Sequence, residues 1–169
     1  VLILCGDTPL IKAASLRALI NTHRQQQGPL TLMTTLVDQP FGYGRILSDK
    51  QGNVLAIVEE KDASEQQRSI REINAGIYLV DRTFLFTALR RVGTDNSQGE
   101  VYLTDIVAIA NSQGSPVHTF VHPQSSDVLG VNSRIEADIV TIASGNYSPS
   151  SGSGSVHVRD GGELITHAN

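Results

Sequence analysis

The chain of 169 residues carries 13 Lys and Arg against 17 Asp and Glu, a formal net charge of −4, with 40% apolar and 18% charged residues and one cysteine. That length suits one domain, or one domain with a tail, able to bury about 70% of its unfolded surface; the composition excludes wholesale disorder, the acidic balance gives no basic field for nucleic acid, and a lone cysteine excludes an internal disulfide. No apolar run approaches the roughly 18 residues of a membrane span and no charged leader opens the chain, so the expectation is a soluble, cytoplasmic protein with neither nucleic acid nor membrane as partner.

Val1 to Cys5 is a short apolar run closed by Gly6-Asp7-Thr8-Pro9, the pattern of a strand covered on both faces, as in parallel sheets. Because the chain starts inside that run, it reads as a fragment of a domain. Ser15 to Arg24 places Leu16, Leu19 and Ile20 at helical spacing. Gly28-Pro29 ends that helix, and the β-branched-rich stretch Leu30 to Val37 is the next strand. Asp49-Lys50-Gln51-Gly52-Asn53 is a hairpin turn between Tyr43-Gly44-Arg45-Ile46 and the returning strand Val54 to Glu59. The charge-rich residues 60–72 read as a solvated loop or short helix. Ile73 to Val80 is a strand, Thr83 to Arg91 a helix, Tyr102 to Asn111 another helix and Val117 to Val121 another strand. Alternating strands and helices predict an α/β layered sheet, mixed in direction because of the hairpin.

Composition changes after Ala143, dividing the chain into residues 1–143 and a tail of residues 144–169. The Ser/Gly-rich stretch Ser144 to Ser155 reads as a flexible linker. Beyond it, Val156 to Arg159 and Glu163 to Thr166 form at most one short hairpin around Asp160-Gly161-Gly162.

Asp7 follows the first strand, where open α/β sheets place ligand-binding groups. Beside Gly6, its carboxylate is either a Mg²⁺ ligand for a phosphorylated substrate or a turn residue before Pro9. Gly42-Tyr43-Gly44 bares backbone around an aromatic, which serves a ligand or a bulge equally. Glu59, opening a charge cluster, either accepts sugar hydroxyl hydrogen bonds or is solvated. Asn74 interrupts an apolar run, so its amide needs partners, a ligand hydroxyl or phosphate among them; Asn132 follows Gly130-Val131 in the same style. Histidines 23, 118, 122, 157 and 167 have no zinc spacing, and Cys5, without a basic neighbour, reads as a small core residue rather than a nucleophile. With neither a Gly-x-Ser-x-Gly motif nor a Walker loop, nothing points to covalent catalysis.

In chain order, Leu4-Cys5-Gly6-Asp7-Thr8-Pro9-Leu10, Gly42-Tyr43-Gly44-Arg45-Ile46, Ile57-Val58-Glu59-Glu60-Lys61-Asp62-Ala63, Glu72-Ile73-Asn74-Ala75-Gly76-Ile77, Gln98-Gly99-Glu100-Val101-Tyr102-Leu103-Thr104-Asp105 and Gly130-Val131-Asn132-Ser133-Arg134 resemble the uridyltransferase domain of the bacterial bifunctional N-acetylglucosamine-1-phosphate uridyltransferase and glucosamine-1-phosphate N-acetyltransferase. The resemblance implies a partial domain with a Rossmann-like mixed sheet of the nucleotide-diphospho-sugar transferase type. It implies transfer of uridylyl from UTP to N-acetylglucosamine 1-phosphate, releasing pyrophosphate and giving UDP-N-acetylglucosamine for peptidoglycan precursors. By the same resemblance, Asp7 and Asn132 hold Mg²⁺ and act as the catalytic pair. Gly44, Glu59 and Asn74 contact the N-acetylglucosamine moiety, Cys5 and Gly6 line the nucleotide side, and Asn132 is also substrate-binding; the family usually has an aromatic where Cys5 stands. The family's Gly-rich phosphate loop and its hexapeptide-repeat acetyltransferase domain have no counterpart here. Three expectations therefore stand side by side. The chain is a catalytic nucleotidyltransferase whose missing half is supplied by a partner chain or lies outside this sequence; or it is a truncated, catalytically inactive remnant that binds a sugar nucleotide or a partner chain, or self-associates through an unpaired strand edge; or it is an α/β scaffold whose motif likeness is ancestral only.

Overall fold

The computed structural model describes residues 1–131 together with Val156–Val158 and Leu164–Thr166. Strand β2 (Leu30–Leu36) lies inside the sheet, and its first six residues are all buried. Its alternating side chains feed two cores. Leu30 and Leu32 join Leu85 and Ala88 of α3 (Arg82–Leu89) and Ile106, Val107 and Ala110 of α4 (Asp105–Ser112) on one face. Met33 joins Ile77, Val128 and Leu19 of α1 (Ala13–Gln25) on the other. Burying a large aliphatic side chain contributes about 1.5–3 kcal/mol, so these two clusters fix which helix covers which face. The result is a three-layer α/β/α arrangement.

The remaining strands are β1 (Leu2–Ile3), β3 (Arg45–Ser48), β4 (Val54–Val58), β5 (Glu72–Val80) and β6 (Val117–His122). The sheet runs β4-β3-β5-β2-β6, with β1 joined to β5. Only β2 and β6 are parallel; the other pairs are antiparallel. The mixed sheet expected from the hairpin is therefore present. Its turn is held by Asp49, whose Oδ1 accepts from the backbone N–H groups of Gln51 and Asn53 at 2.8 and 2.9 Å. Within the charge-rich stretch lies a single helical turn, α2 (Glu65–Arg68), closed by a reciprocal Ser64–Gln67 capping box.

The first strand departs from expectation. Val1, Leu2 and Leu4 are 49%, 37% and 47% exposed, and β1 is two residues long and antiparallel to β5 through Leu2↔Leu79 and Ile3↔Tyr78. Burial on both faces needs layers packed above and below the strand, and Val1, Leu2 and Leu4 have no such cover; among the described residues β1 pairs with β5 alone. The strand covered on both faces is β2.

Between Met33 and Thr34 the β2–β5 register jumps from Ile77 to Asn74, leaving Ala75 and Gly76 as a bulge on β5. Gly76 has φ +70°, open to glycine at little cost. Bulges re-aim side chains beside functional sites, and this one sits directly under the cleft described below.

Beyond residue 131, β7 (Val156–Val158) and β8 (Leu164–Thr166) pair antiparallel, Val156 opposite Thr166. The Ser/Gly-rich linker, the hairpin's connecting residues and Asn132 lie outside the described residues. Among the described residues no helix is long and apolar enough to cross a membrane.

Candidate functional site

A cleft of about 280 Å³ opens at one end of the sheet. The segment after β1 contributes Cys5, Asp7 and Thr8; the loop before β3 contributes Gly42, Tyr43 and Gly44; Glu59 follows β4; Asn74, Ala75 and Gly76 come from the β5 bulge; Gly130 closes the far side. Of the sequence candidates, Cys5, Asp7, Gly44, Glu59 and Asn74 thus share one cavity. Gly6 joins two of them in the chain without itself lining the cleft.

Thr8 locks the turn after β1, its hydroxyl donating to the Cys5 carbonyl at 3.2 Å. Asp7 does not perform that task. Among the described residues its carboxylate makes no hydrogen bond or ion pair, while its backbone carbonyl accepts from Val131 N–H at 2.8 Å. Among the described residues no three His, Cys, Asp or Glu side chains assemble a metal cage. Mg²⁺ does not require one: it commonly takes one or two carboxylates and completes its shell with water and substrate phosphates. An unpaired hard carboxylate facing a cleft fits that requirement.

Cys5 is exposed, not the small core residue its setting in an apolar run suggests. Its thiol donates to Gly76 O at 3.2 Å, and partial burial, with Asp7 nearby, pushes its pKa up. A raised pKa leaves little thiolate, which agrees with a wall residue rather than a nucleophile.

Gly44 is where the cleft comes closest to backbone. A Cβ there would lie 2.8 Å from Ile57 Cγ2 and 3.3 Å from both Glu59 carboxylate oxygens. The Gly44 carbonyl accepts from Asn74 N–H at 2.9 Å, tying the loop to β5. Asn74 in turn donates from Nδ2 to the Tyr78 hydroxyl at 2.6 Å and accepts Gly76 N–H on Oδ1 at 3.0 Å. The amide partners that its sequence setting demands are thus protein groups. A primary amide has two donors and two acceptor lone pairs, so one of each remains for a ligand. Burial drives the Tyr78 phenol far above the ordinary tyrosine range, and it stays a neutral hydroxyl.

Glu59 borders three cavities: the main cleft, an apolar one of about 260 Å³ walled by Ile3, Tyr78, Val101 and Leu103, and an acidic one of about 200 Å³ holding Asp62, Asp95 and Asp105. Burial, then repulsion from Asp62 and Asp105, raises its pKa, while the Thr104 hydroxyl, donating to Oε1 at 3.1 Å, opposes the rise. Thr104 stands at the N-cap of α4 yet does not cap it; its hydroxyl serves Glu59 instead. In the sequence Thr104 is one residue of the Gln98–Asp105 motif at a helix start, and nothing local marks its bond to Glu59, 45 residues away.

Three of the histidines make structural contacts. His122 Nε2 lies 2.7 Å from the Ser15 hydroxyl, His23 Nδ1 lies 2.8 Å from Thr31 Oγ1, and His118 Nε2 lies 2.8 Å from the Gln27 carbonyl. These contacts tie α1 and the residues just after it to the sheet.

Comparison with known proteins follows the same residues. The family model "Nucleotidyl transferase" matches residues 1–143. The bifunctional protein GlmU of Desulfotalea psychrophila is 54% identical over 136 residues, 80% of this chain and 40% of its own length. GlmU of Geobacter metallireducens is 51% identical over 138 residues, 80% of this chain and 29% of its own; GlmU of a Geobacillus species is 48% identical over 134 residues, 79% and 29%. The chain thus spans 29–40% of the length of these relatives. In three dimensions it superposes on a Bacillus anthracis chain assigned as a glucose-1-phosphate thymidylyltransferase, solved in complex with sucrose. The TM-score is 0.56 at 15% identity, covering 80% of this chain and 51% of that one.

Proposed function

The chain belongs to the nucleotidyl transferase family, and on that premise we propose that it carries the sugar-binding and metal-binding part of a uridyltransferase acting on UTP and N-acetylglucosamine 1-phosphate. The observation that carries this reading is the convergence of Asp7, Gly44, Glu59 and Asn74 on one cleft, with donors and acceptors left over for a polyhydroxylated ligand. A phosphate oxygen of the sugar 1-phosphate attacks the α-phosphorus of UTP in line, the bond from that phosphorus to the bridging oxygen breaks, and pyrophosphate leaves. No proton needs to move and no protein nucleophile is used, which suits a cleft whose only thiol is held protonated. The physics is positioning and charge neutralisation.

In this reading Asp7 and Asn132 hold Mg²⁺, which when bound neutralises charge on the phosphates. Gly44 lets the sugar ring approach bare backbone. Glu59, fixed by Thr104, accepts from sugar hydroxyls, and Asn74, fixed by Tyr78 and the bulge, offers one donor and one acceptor. Cys5 and Gly6 face the nucleotide. The test is pyrophosphate release from UTP and N-acetylglucosamine 1-phosphate with Mg²⁺, alongside calorimetric binding of UDP-N-acetylglucosamine. Release dependent on both substrates supports the proposal. Binding without release supports a sugar-nucleotide-binding remnant, and neither binding nor release refutes both.

A further inference from the structure

Arg45, 1% exposed, is buried where three strands meet: it opens β3, opposite Val58 of β4 and Ile73 of β5. Its Nη2 donates to Glu60 Oε2 at 2.6 Å, its Nη1 donates to the Tyr43 carbonyl, and its Nε has no partner among the described residues. The same Glu60 oxygen accepts Gly42 N–H at 3.1 Å, and Glu60 Oε1 pairs with Arg68 at 3.5 Å. Two contacts of this ion pair therefore end on the backbone of Gly42 and Tyr43, in the loop that lines the cleft.

Stability alone does not explain the arrangement. Burying a guanidinium is costly, an apolar side chain often replaces a buried ion pair without loss, and here one N–H donor is left unsatisfied. Local costs of this kind are retained where they specify a functional geometry. Gly42, at φ +85°, has no side chain to fix the loop; beside the backbone bonds of Tyr43 N–H to Pro40 O and Asn74 N–H to Gly44 O, it is held by Glu60 on the Gly42 N–H and Arg45 on the Tyr43 carbonyl.

We propose that Arg45, acting with Glu60, is a positioning residue that holds residues 42–44 in the conformation that meets the ligand; its ligand-binding half rests on the functional reading above. Neither side chain needs to touch the ligand. The experiment compares the full chain with Arg45→Met, Arg45→Lys and Glu60→Gln, the last at a partly exposed side chain so that folding is kept. The readouts are amide hydrogen exchange at residues 42–44 and calorimetric affinity for UDP-N-acetylglucosamine with Mg²⁺. Expected are faster exchange at residues 42–44 with core amides unchanged, and affinity at least tenfold weaker in Arg45→Met. Arg45→Lys, which keeps the charge but reaches one acceptor at a time, restores part of both; Glu60→Gln loses about threefold, since its neutral amide still accepts from Gly42. Unchanged exchange at residues 42–44 in folded variants overturns the inference, as does faster exchange with wild-type affinity. A wild-type chain that binds no sugar nucleotide instead refutes the functional reading and takes the ligand-binding half of this inference with it.

Discussion

Replacing Gly76 by alanine attacks the bulge beneath the cleft at a point where two costs can be separated. The first is conformational: an L side chain at φ +70° is strained, by roughly 1–2 kcal/mol. The second is steric, because the new Cβ would overlap Cys5 Sγ; this exposed thiol can swing away, but only by leaving its hydrogen bond to Gly76 O, which is worth about 0.5–1.5 kcal/mol. Together they predict a loss of about 1.5–3.5 kcal/mol, which in a domain of this size lowers the melting temperature by about 3–14 °C. Melting of the chain, followed by far-ultraviolet circular dichroism, reads the effect directly. Adding Cys5→Ala removes Sγ and leaves only Cys5 Cβ at 3.6 Å, an ordinary contact. The double variant should therefore show a coupling energy of about 0.5–1.5 kcal/mol and retain the conformational part. A melt for Gly76→Ala within about 1 °C of wild type, or a Gly76→Ala loss as large in the Cys5→Ala background as in the wild type, refutes the reasoning.

Three further outcomes follow from the site. Folding raises the pKa of Glu59, so its protonated form is the one favoured in the native state, and its stabilising contribution is full below the ordinary glutamate range and lost as pH rises through the raised value; urea unfolding should show Glu59→Gln gaining stability relative to wild type from about pH 4 to about pH 7, and a difference flat with pH contradicts this. Tyr78→Phe removes the oxygen that accepts from Asn74 Nδ2 and should cost about 1–2 kcal/mol in urea unfolding while weakening UDP-N-acetylglucosamine binding; a variant with lost stability but wild-type affinity separates Asn74 from the ligand. Asp7→Ala and Asn132→Ala should each weaken binding in Mg²⁺ but hardly change it in excess chelator, and unchanged affinity in either variant with Mg²⁺ removes that residue from the metal site.

The elements that sequence reveals are those fixed by local pattern. Leu16, Leu19 and Ile20 at helical spacing mark α1, observed at Ala13–Gln25, and the β-branched run marks β2, observed at Leu30–Leu36. Cleft residues were legible through short motifs: Gly44, Glu59 and Asn74 are polar or side-chain-free interruptions of strand ends. What escaped depends on tertiary approach. Glu60 reads as one charge in a solvated run, but β3 and β4 bring Arg45 within 2.6 Å of it, and nothing local to either residue announces the pair. The amide of Asn74 is satisfied by Tyr78 four residues on because the Ala75–Gly76 bulge brings them together; in a regular strand the reach would be too long. Val1 to Cys5 is apolar enough for a buried strand, but exposure is set by what packs on its faces, which composition does not report.

The most direct test of the central claim is a thermal melt of the chain with UDP-N-acetylglucosamine, in Mg²⁺ and in excess chelator. A ligand that binds the folded state raises the melting temperature by mass action. The account predicts a rise that grows with ligand concentration, needs Mg²⁺ and is abolished in Asp7→Ala. A cooperative melt unmoved by ligand and metal contradicts it.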